Sequence, residues 1–382
     1  MFVRLVAVCL LGAFGGSVLP QPAPGLVPPS WEGGPPFAAA ILVEAETGKV
    51  LFEHNGSAPR SPASTLKLLL QLLVMEAVAD GRVALSDSVH ISAEASRTGG
   101  SQVYLKEGEV FTLGELMETI VIASANDACV AVAEHVGGTE QGFVDLMNSK
   151  AAVLGLEGTR CVNVHGLDNT PPTKGNTTTA ADLAKVSREI VAYDDIMEWS
   201  RIRQKPFRNG TFILRATNRL LGKFRGLDGL KTGYTKRAGY CLVATAERRK
   251  MRLISVVLGS RSERARYRET RRILDWGFNH YSRVAIVSSG DPVAAVTLDW
   301  GVEPEVAAVA TDSVVAVLGN EEVRGIRREV EIDAERTAPV AAGDSLGTLR
   351  VTTGETLLAA VDLVAQKTVQ RMSLWEILMS YF

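Results

Sequence analysis

Between Ser64 and Asp80 the chain reads STLKLLLQLLVMEAVAD, almost continuously apolar and closed by Gly81. A helix that is apolar around its whole circumference has to be enclosed on every side, so this segment predicts a central helix with a domain packed around it. Ser64 and Lys67 stand out in its first turn. Three residues apart, they place a hydroxyl and an amine on one helical face. A serine hydroxyl is almost wholly protonated in water and attacks poorly unless an unprotonated base stands beside it. Lysine can be that base where burial and neighbouring cations favour the neutral amine. Backbone N–H groups at the helix start add a place for a developing oxyanion. The same spacing also fits an ordinary serine followed by a solvated lysine. The apolar surroundings favour the chemical reading, because an unused buried ammonium is costly.

The chain has 382 residues, too many for one comfortable core, and so predicts two folded parts. Apolar residues make up 46% and charged residues 22%, enough to bury a core and unlike a disordered composition. Lys and Arg number 41 against 43 Asp and Glu, which lacks the basic excess of a dedicated nucleic-acid binder. No nucleic-acid partner is expected, and recognition must depend on local charge. His54, His90, His135, His165 and His280 form no HExxH and no close His/Cys ligand spacing. No metal or other cofactor is expected.

At the N-terminus, Arg4 precedes an apolar run from Leu5 to Phe14 and a group of small residues, the pattern of a secretory signal segment over residues 1–17. Residues 18–36 are rich in Pro and Gly and read as a linker. Export would discard Cys9 and leave Cys129, Cys161 and Cys241, which are expected to be mostly buried thiols with at most one bridge. From Phe37, an apolar strand, the turn Glu46-Thr47-Gly48 and a return strand predict an opening hairpin. Residues 284–364 carry short Val/Ala-rich stretches broken by glycines and fit a small β-rich domain. This domain is read as a spacer, with binding of a partner as the alternative. The last segment, 365–382, aligns Val369, Met372, Leu374, Trp375, Leu378, Met379 and Phe382 as an apolar face. It is read as amphipathic and in contact with a membrane, too short and polar to cross one; docking on its own domain is the alternative.

Two further groups fall on predicted element ends. Thr112 and Glu115 have capping-box spacing before an apolar helix, whose exit SANDACVAVAEH contains Ser124 and Asn126. Ser124 can pass a proton between Lys67 and a leaving amine, and Asn126 can hold Lys67 or bind a substrate amide. In GLDGLKTGYTKRAGYCLVATA, a strand, a turn at Glu247–Lys250 and an antiparallel partner follow Gly239. Lys231 and Thr232 at a sheet edge would receive a terminal carboxylate while a peptide adds alongside.

In this order the groups are the S-x-x-K, S-x-N and K-T-G elements shared by penicillin-binding proteins and serine β-lactamases. SPASTLK at 61–67, IVIASANDACVAVAEH at 120–135 and LDGLKTGYTKRAGYC at 227–241 resemble low-molecular-mass D-alanyl-D-alanine carboxypeptidases of the S11 peptidase family. NVHGLDN at 163–169 resembles a further family element. The resemblance implies an α+β fold: a five-stranded antiparallel sheet with a helical lobe over 37–283, then the small β-rich domain. It implies Ser64 as the acyl-forming nucleophile, Lys67 as its base and Ser124 as the proton-transfer partner. Asn126 would position substrate, Lys231 and Thr232 would bind its carboxylate, and the backbone N–H groups of Ser64 and Tyr234 would form the oxyanion hole. Arg266 is a further contact for the carboxylate by the same resemblance. The implied partners are peptidoglycan stem peptides ending in D-Ala-D-Ala, β-lactams as covalent inhibitors, and the outer face of the cytoplasmic membrane. Leu66 and Ala125 depart from the threonine and glycine frequent at these places, without removing a functional side chain. The nearest alternatives are a D,D-endopeptidase and a serine β-lactamase, the latter lacking a recognisable E-x-x-L-N element here. A noncatalytic peptidoglycan-binding scaffold is the reading of a different class.

Overall fold

The structure is a computed structural model that describes residues 29–168, 175–333 and 336–379. The stretch read as a signal segment lies outside the described residues. The rest forms two bodies, one within Val27–Asn279 and one from His280 onward.

The first body opens with the expected hairpin of β1 (Ala39–Glu44) and β2 (Val50–His54). The Glu44 carboxylate accepts the backbone N–H groups of Glu46 and Thr47 and so holds its turn. The long apolar run divides into a 3₁₀ turn, Ala63–Leu66, and the helix α1 (Lys67–Ala79). Leu68, Leu69, Leu70, Leu72 and Val74 are all buried, on every side of α1. Each such side chain contributes about 1.5–3 kcal/mol by leaving water. After β3 (Ser88–His90), α2 (Ala93–Arg97) and β4 (Val110–Thr112) comes α3 (Leu113–Ala123). Its start is the reciprocal capping box of Thr112 and Glu115. Helices α4 (Asn126–Gly137), α5 (Glu140–Val153), α6 (Ala180–Ile190) and α7 (Asp194–Arg201) complete the helical part. A short hairpin, β5 (Gln204–Phe207) and β6 (Phe212–Arg215), precedes the long strands β7 (Leu227–Thr235), β8 (Gly239–Arg248) and β9 (Met251–Ser260), and α8 (Glu263–His280) closes the body.

The five-stranded sheet has the order β2-β1-β9-β8-β7, antiparallel throughout. Six consecutive residues of β8 are buried, which requires cover on both faces of the sheet and explains its near-continuous apolar sequence. The K-T-G run lies within β7, the edge strand. Trp31, inside the stretch read as a linker, is packed: its indole N–H donates to Glu269 at 2.7 Å and its ring meets Phe37 edge-on. Among the described residues Cys129, Cys161 and Cys241 are separate buried thiols.

The second body is β-rich, as its glycine spacing predicts. It contains β10 (Tyr281–Val287), β11 (Pro292–Asp299), β12 (Glu305–Ala310), β13 (Val314–Gly319), α9 (Asn320–Arg324), β14 (Ile326–Ile332), β15 (Arg336–Thr337), β16 (Ser345–Thr353), β17 (Thr356–Ala365) and α10 (Leu374–Met379). Six strands form a sheet in the order β14-β16-β17-β12-β11-β15, and β10 pairs with β13. Val296, Leu298, Leu346, Leu349 and Leu363 lie at its core.

Two details differ from the sequence reading. Strand β10 opens at Tyr281, within the stretch assigned to the first domain. In the tail, Val369 is buried in the second body's core and its backbone pairs with Val340, while the Met372 N–H donates to the Trp300 carbonyl at 2.7 Å. Val369 is therefore no part of an exposed apolar face; backbone pairing has drawn it into the protein. Among the described residues of the tail only α10 is helical, with Leu374 and Trp375 88% and 70% exposed. The side chains of Leu378, Met379 and Phe382 lie outside the described residues. Among the described residues no helix is long and apolar enough to cross a membrane.

Candidate active site

Ser64 sits in the 3₁₀ turn directly after Ala63, whose φ of 49° is a left-handed conformation uncommon for a residue with a side chain. Two glycines close on this turn. A Cβ on Gly166, at φ 86°, would stand 2.0 Å from the Ala63 carbonyl oxygen, and one on Gly233 would stand 3.0 Å from the Ser64 nitrogen. Such approaches require bare backbone. They bring the described part of the NVHGLDN element, residues 163–168, and the K-T-G strand directly against the S-x-x-K turn.

Lys67 is wholly buried. Its Nζ donates to the Ser124 carbonyl and to Asn126 Oδ1, each at 2.5 Å, and lies 3.1 Å from Ser124 Oγ. Two of these partners only accept, whereas the hydroxyl can also donate, so the set suits an uncharged amine with one lone pair. Burial lowers the Lys67 pKa from its ordinary value, against a smaller opposing pull from Cys129 and Asp127. Ser124 reaches the amine with both oxygens because it ends α3 in a left-handed conformation, φ 65°. Asn126 is oriented by its other end, where Nδ2 donates to the Gly99 carbonyl at 2.7 Å. Asp127 accepts the N–H groups of Val103 and Leu105, both at 3.1 Å, and pins the same segment to α4. Burial raises its pKa, opposed by those backbone hydrogen bonds.

Lys231 is also buried, with Nζ 3.1 Å from the Thr232 carbonyl. Its pKa lies well below the ordinary value, first through burial and then through the positive charges of Lys67 and Arg266, against the opposing pull of Cys129. Thr232 Oγ1 donates to Thr217 Oγ1 at 2.7 Å, and the Thr217 carbonyl accepts the Tyr267 hydroxyl at 2.9 Å. Nothing in the sequence marks Thr217, a lone threonine outside any regular element. The Tyr234 ring lies exposed beside Tyr240, centroids 4.3 Å apart. Arg266 is buried, and its guanidinium donates to the Gly233 and Cys241 carbonyls, both at 3.3 Å, and to the Tyr267 hydroxyl at 2.7 Å. It supports β7 and β8 from their own carbonyls while placing its charge beside Lys231. Ser64, Lys67, Ser124, Asn126, Lys231 and Thr232 thus share one locality.

His165, in the 163–169 element, is held neutral: burial and then the Lys67 charge push its pKa down to about 4. Its Nδ1 accepts the Leu167 N–H at 3.2 Å, which needs an unprotonated nitrogen. Since the unfolded imidazole has a pKa of about 6.5, the unfolded state binds the extra proton first as pH falls. Stability should therefore drop between about pH 6.5 and 4, by about 3 kcal/mol from this group alone. Urea midpoints across that range check this, and His165→Gln should flatten the slope.

A buried amine that shares the Ser124 hydroxyl, one turn after Ser64 and next to a cation-bearing strand edge, can support serine-type acyl transfer. Residues 37–262 match the family model for D-alanyl-D-alanine carboxypeptidase, peptidase S11, and residues 281–371 match that for the C-terminal domain of penicillin-binding protein 5. The chain belongs to this D-alanyl-D-alanine carboxypeptidase family. It is 34% identical to the D-alanyl-D-alanine carboxypeptidase DacF of Bacillus subtilis, over 87% of this chain and 86% of that protein. It is 33% identical to DacC of Escherichia coli, over 81% and 78%. Among solved structures, penicillin-binding protein 6B of Escherichia coli superposes with a TM-score of 0.73 at 28% identity, covering 89% of this chain and 98% of that one. Ampicillin-bound penicillin-binding protein D2 of Listeria monocytogenes gives 0.59 at 30% identity, covering 65% and 99%.

Proposed function

We propose that this chain removes the terminal D-alanine from peptidoglycan stem peptides ending in D-Ala-D-Ala, through an acyl-enzyme on Ser64, and that penicillin acylates the same serine. The observation that carries the reading is the buried Lys67 amine held between Ser124 and Asn126 beside the Ser64 turn. Ser64 Oγ attacks the penultimate carbonyl carbon and its proton passes to Lys67 Nζ. The backbone N–H groups of Ser64 and Tyr234 receive the oxyanion. The C–N bond then breaks as Ser124 gives its proton to the leaving D-alanine nitrogen and regains one from Lys67. Water attacks the ester, its proton moves to the base, and Ser64 recovers its hydroxyl as the shortened peptide leaves.

Lys231 and Thr232 hold the terminal carboxylate, with the Arg266 charge behind them. An arriving carboxylate restores the Lys231 ammonium, because an opposite charge offsets the desolvation that lowers it. The relatives named as carboxypeptidases and the ampicillin-bound neighbour support both halves of the proposal. We place the protein outside the cell, peripheral on the outer face of the cytoplasmic membrane, with residues 1–17 as its export signal. The exposed Leu374 and Trp375 on α10 are what remains to support the membrane contact.

Mass analysis of products from a D-Ala-D-Ala-ended muropeptide tests the activity. Loss of one terminal alanine is expected. Cleavage of a crosslink alone would assign an endopeptidase, and rapid penicillin turnover without D-alanine release would assign a β-lactamase.

A further inference from the structure

The chain as a whole is nearly balanced in charge, yet four cations meet at one opening beside the site. A cavity of about 360 Å³ is lined by Arg60, Ser61, Lys236, Arg237, Tyr240 and Arg261, among others. The four basic residues are exposed. Among the described residues none of their side chains takes part in an ion pair or hydrogen bond, while the Ser61 hydroxyl donates to Asp168 at 3.1 Å. They come from three separate segments: the approach to the Ser64 turn, the β7–β8 turn, and the end of β9. Charges of one sign repel, and the Asp168 carboxylate held by Ser61 offsets only part of the four, so their convergence leaves a positive potential directed at the cavity.

Position along β7 selects the occupant. In the proposed reaction the terminal carboxylate lies at Lys231 and Thr232, and the scissile carbonyl lies at the Tyr234 N–H. The peptide upstream of that carbonyl therefore runs toward higher numbers, past Thr235. At about 3.3 Å per residue in a strand, the residue before D-Ala-D-Ala comes level with Lys236 and Arg237. The neighbouring Tyr234 and Tyr240 rings offer an apolar wall to a methylene chain.

The geometry points to a subsite for an acidic side chain: this cavity takes a carboxylate carried by the stem residue that precedes the two D-alanines. The inference rests on the carboxypeptidase reading and adds a substrate class to it. The contacts are solvent-exposed, so the preference is modest and falls as salt screens it.

The full chain is tested at low ionic strength with three peptides. N-acetyl-L-2-aminopimelyl-D-Ala-D-Ala carries the side-chain carboxylate, its side-chain amide is the neutral isostere, and N-acetyl-L-lysyl-D-Ala-D-Ala carries an ammonium. The acid is expected to exceed the amide in kcat/KM by about twofold to fivefold. Lys236→Glu combined with Arg237→Glu is expected to reverse the order and favour the lysyl peptide. Where that variant no longer reacts with penicillin, Arg261→Gln, on a separate segment, must reduce the acid-to-amide ratio instead. Equal hydrolysis of acid and amide by the unaltered protein, or a preference that survives these substitutions, overturns the subsite and leaves the carboxypeptidase reading intact. Hydrolysis of none of the three peptides overturns both.

Discussion

Ser64→Ala should abolish D-alanine release and penicillin labelling together, each by about four orders of magnitude or more. No other group in the proposed path can form the ester, so the residual rate is what binding and the oxyanion donors give to direct attack by water. Folding should survive. The Ser64 turn is held by backbone contacts with Gly166 and Gly233 and by the Thr65 hydroxyl on the Pro62 carbonyl at 2.6 Å, none of which uses the Ser64 side chain. A partly exposed hydroxyl of this kind changes stability by about 0.5 kcal/mol or less, which moves the melting temperature by about 2 °C or less. The measurements are product mass analysis, fluorescent penicillin labelling and a thermal melt on the same preparation. Continued D-alanine release by the alanine variant would remove Ser64 from the mechanism. Continued biological function without hydrolysis would favour the scaffold.

Lys67 provides the second test, through two substitutions that separate charge from basicity. Lys67→Met keeps length and removes the amine; Lys67→Arg keeps a cation that does not deprotonate in proteins. If Lys67 were needed only as a positive charge, arginine would preserve activity. As a base it requires a lone pair, so both variants should slow acylation by about 10²–10⁴-fold. The pH dependence supplies an independent readout. Because burial lowers the Lys67 pKa from 10.5, the neutral amine appears at lower pH than for a free lysine. Acylation by fluorescent penicillin should therefore rise with pH through that lowered value and fall as the amine is protonated below it. That limb should vanish in Lys67→Met. An arginine variant with wild-type acylation would overturn the role of general base.

Much of this was legible because local patterns and tertiary needs agree. The apolar run at 64–80 can satisfy itself only when enclosed, and the Thr112/Glu115 box marks the start of α3 about three turns before the polar residues matter. The turn expected at Glu247–Lys250 was legible from the two strands on either side of it, but it is tighter than expected: Glu247 and Arg248 pair within β8, and only Arg249 and Lys250 make the reversal. Other features left no local trace. Thr217 reaches Thr232 across fifteen positions, and nothing in its neighbours distinguishes it from a surface threonine. His280 passes directly into β10 without a glycine or proline, so the change of period at Tyr281 carried no punctuation. Val369 has the right spacing for an exposed apolar face, and only its pairing with Val340 reveals where it goes. The hold of Asp127 on the Val103 and Leu105 N–H groups is likewise a long-range contact with no local trace.

The position of β7 at the end of its sheet also bears on which visitors stay longest. A flexible peptide laid along that edge must give up backbone freedom, about 1–2 kcal/mol for every residue fixed. A fused bicyclic compound with the same outline arrives already rigid and forfeits almost none of it. An open border built to welcome a floppy guest is thus intrinsically more hospitable to a stiff impostor.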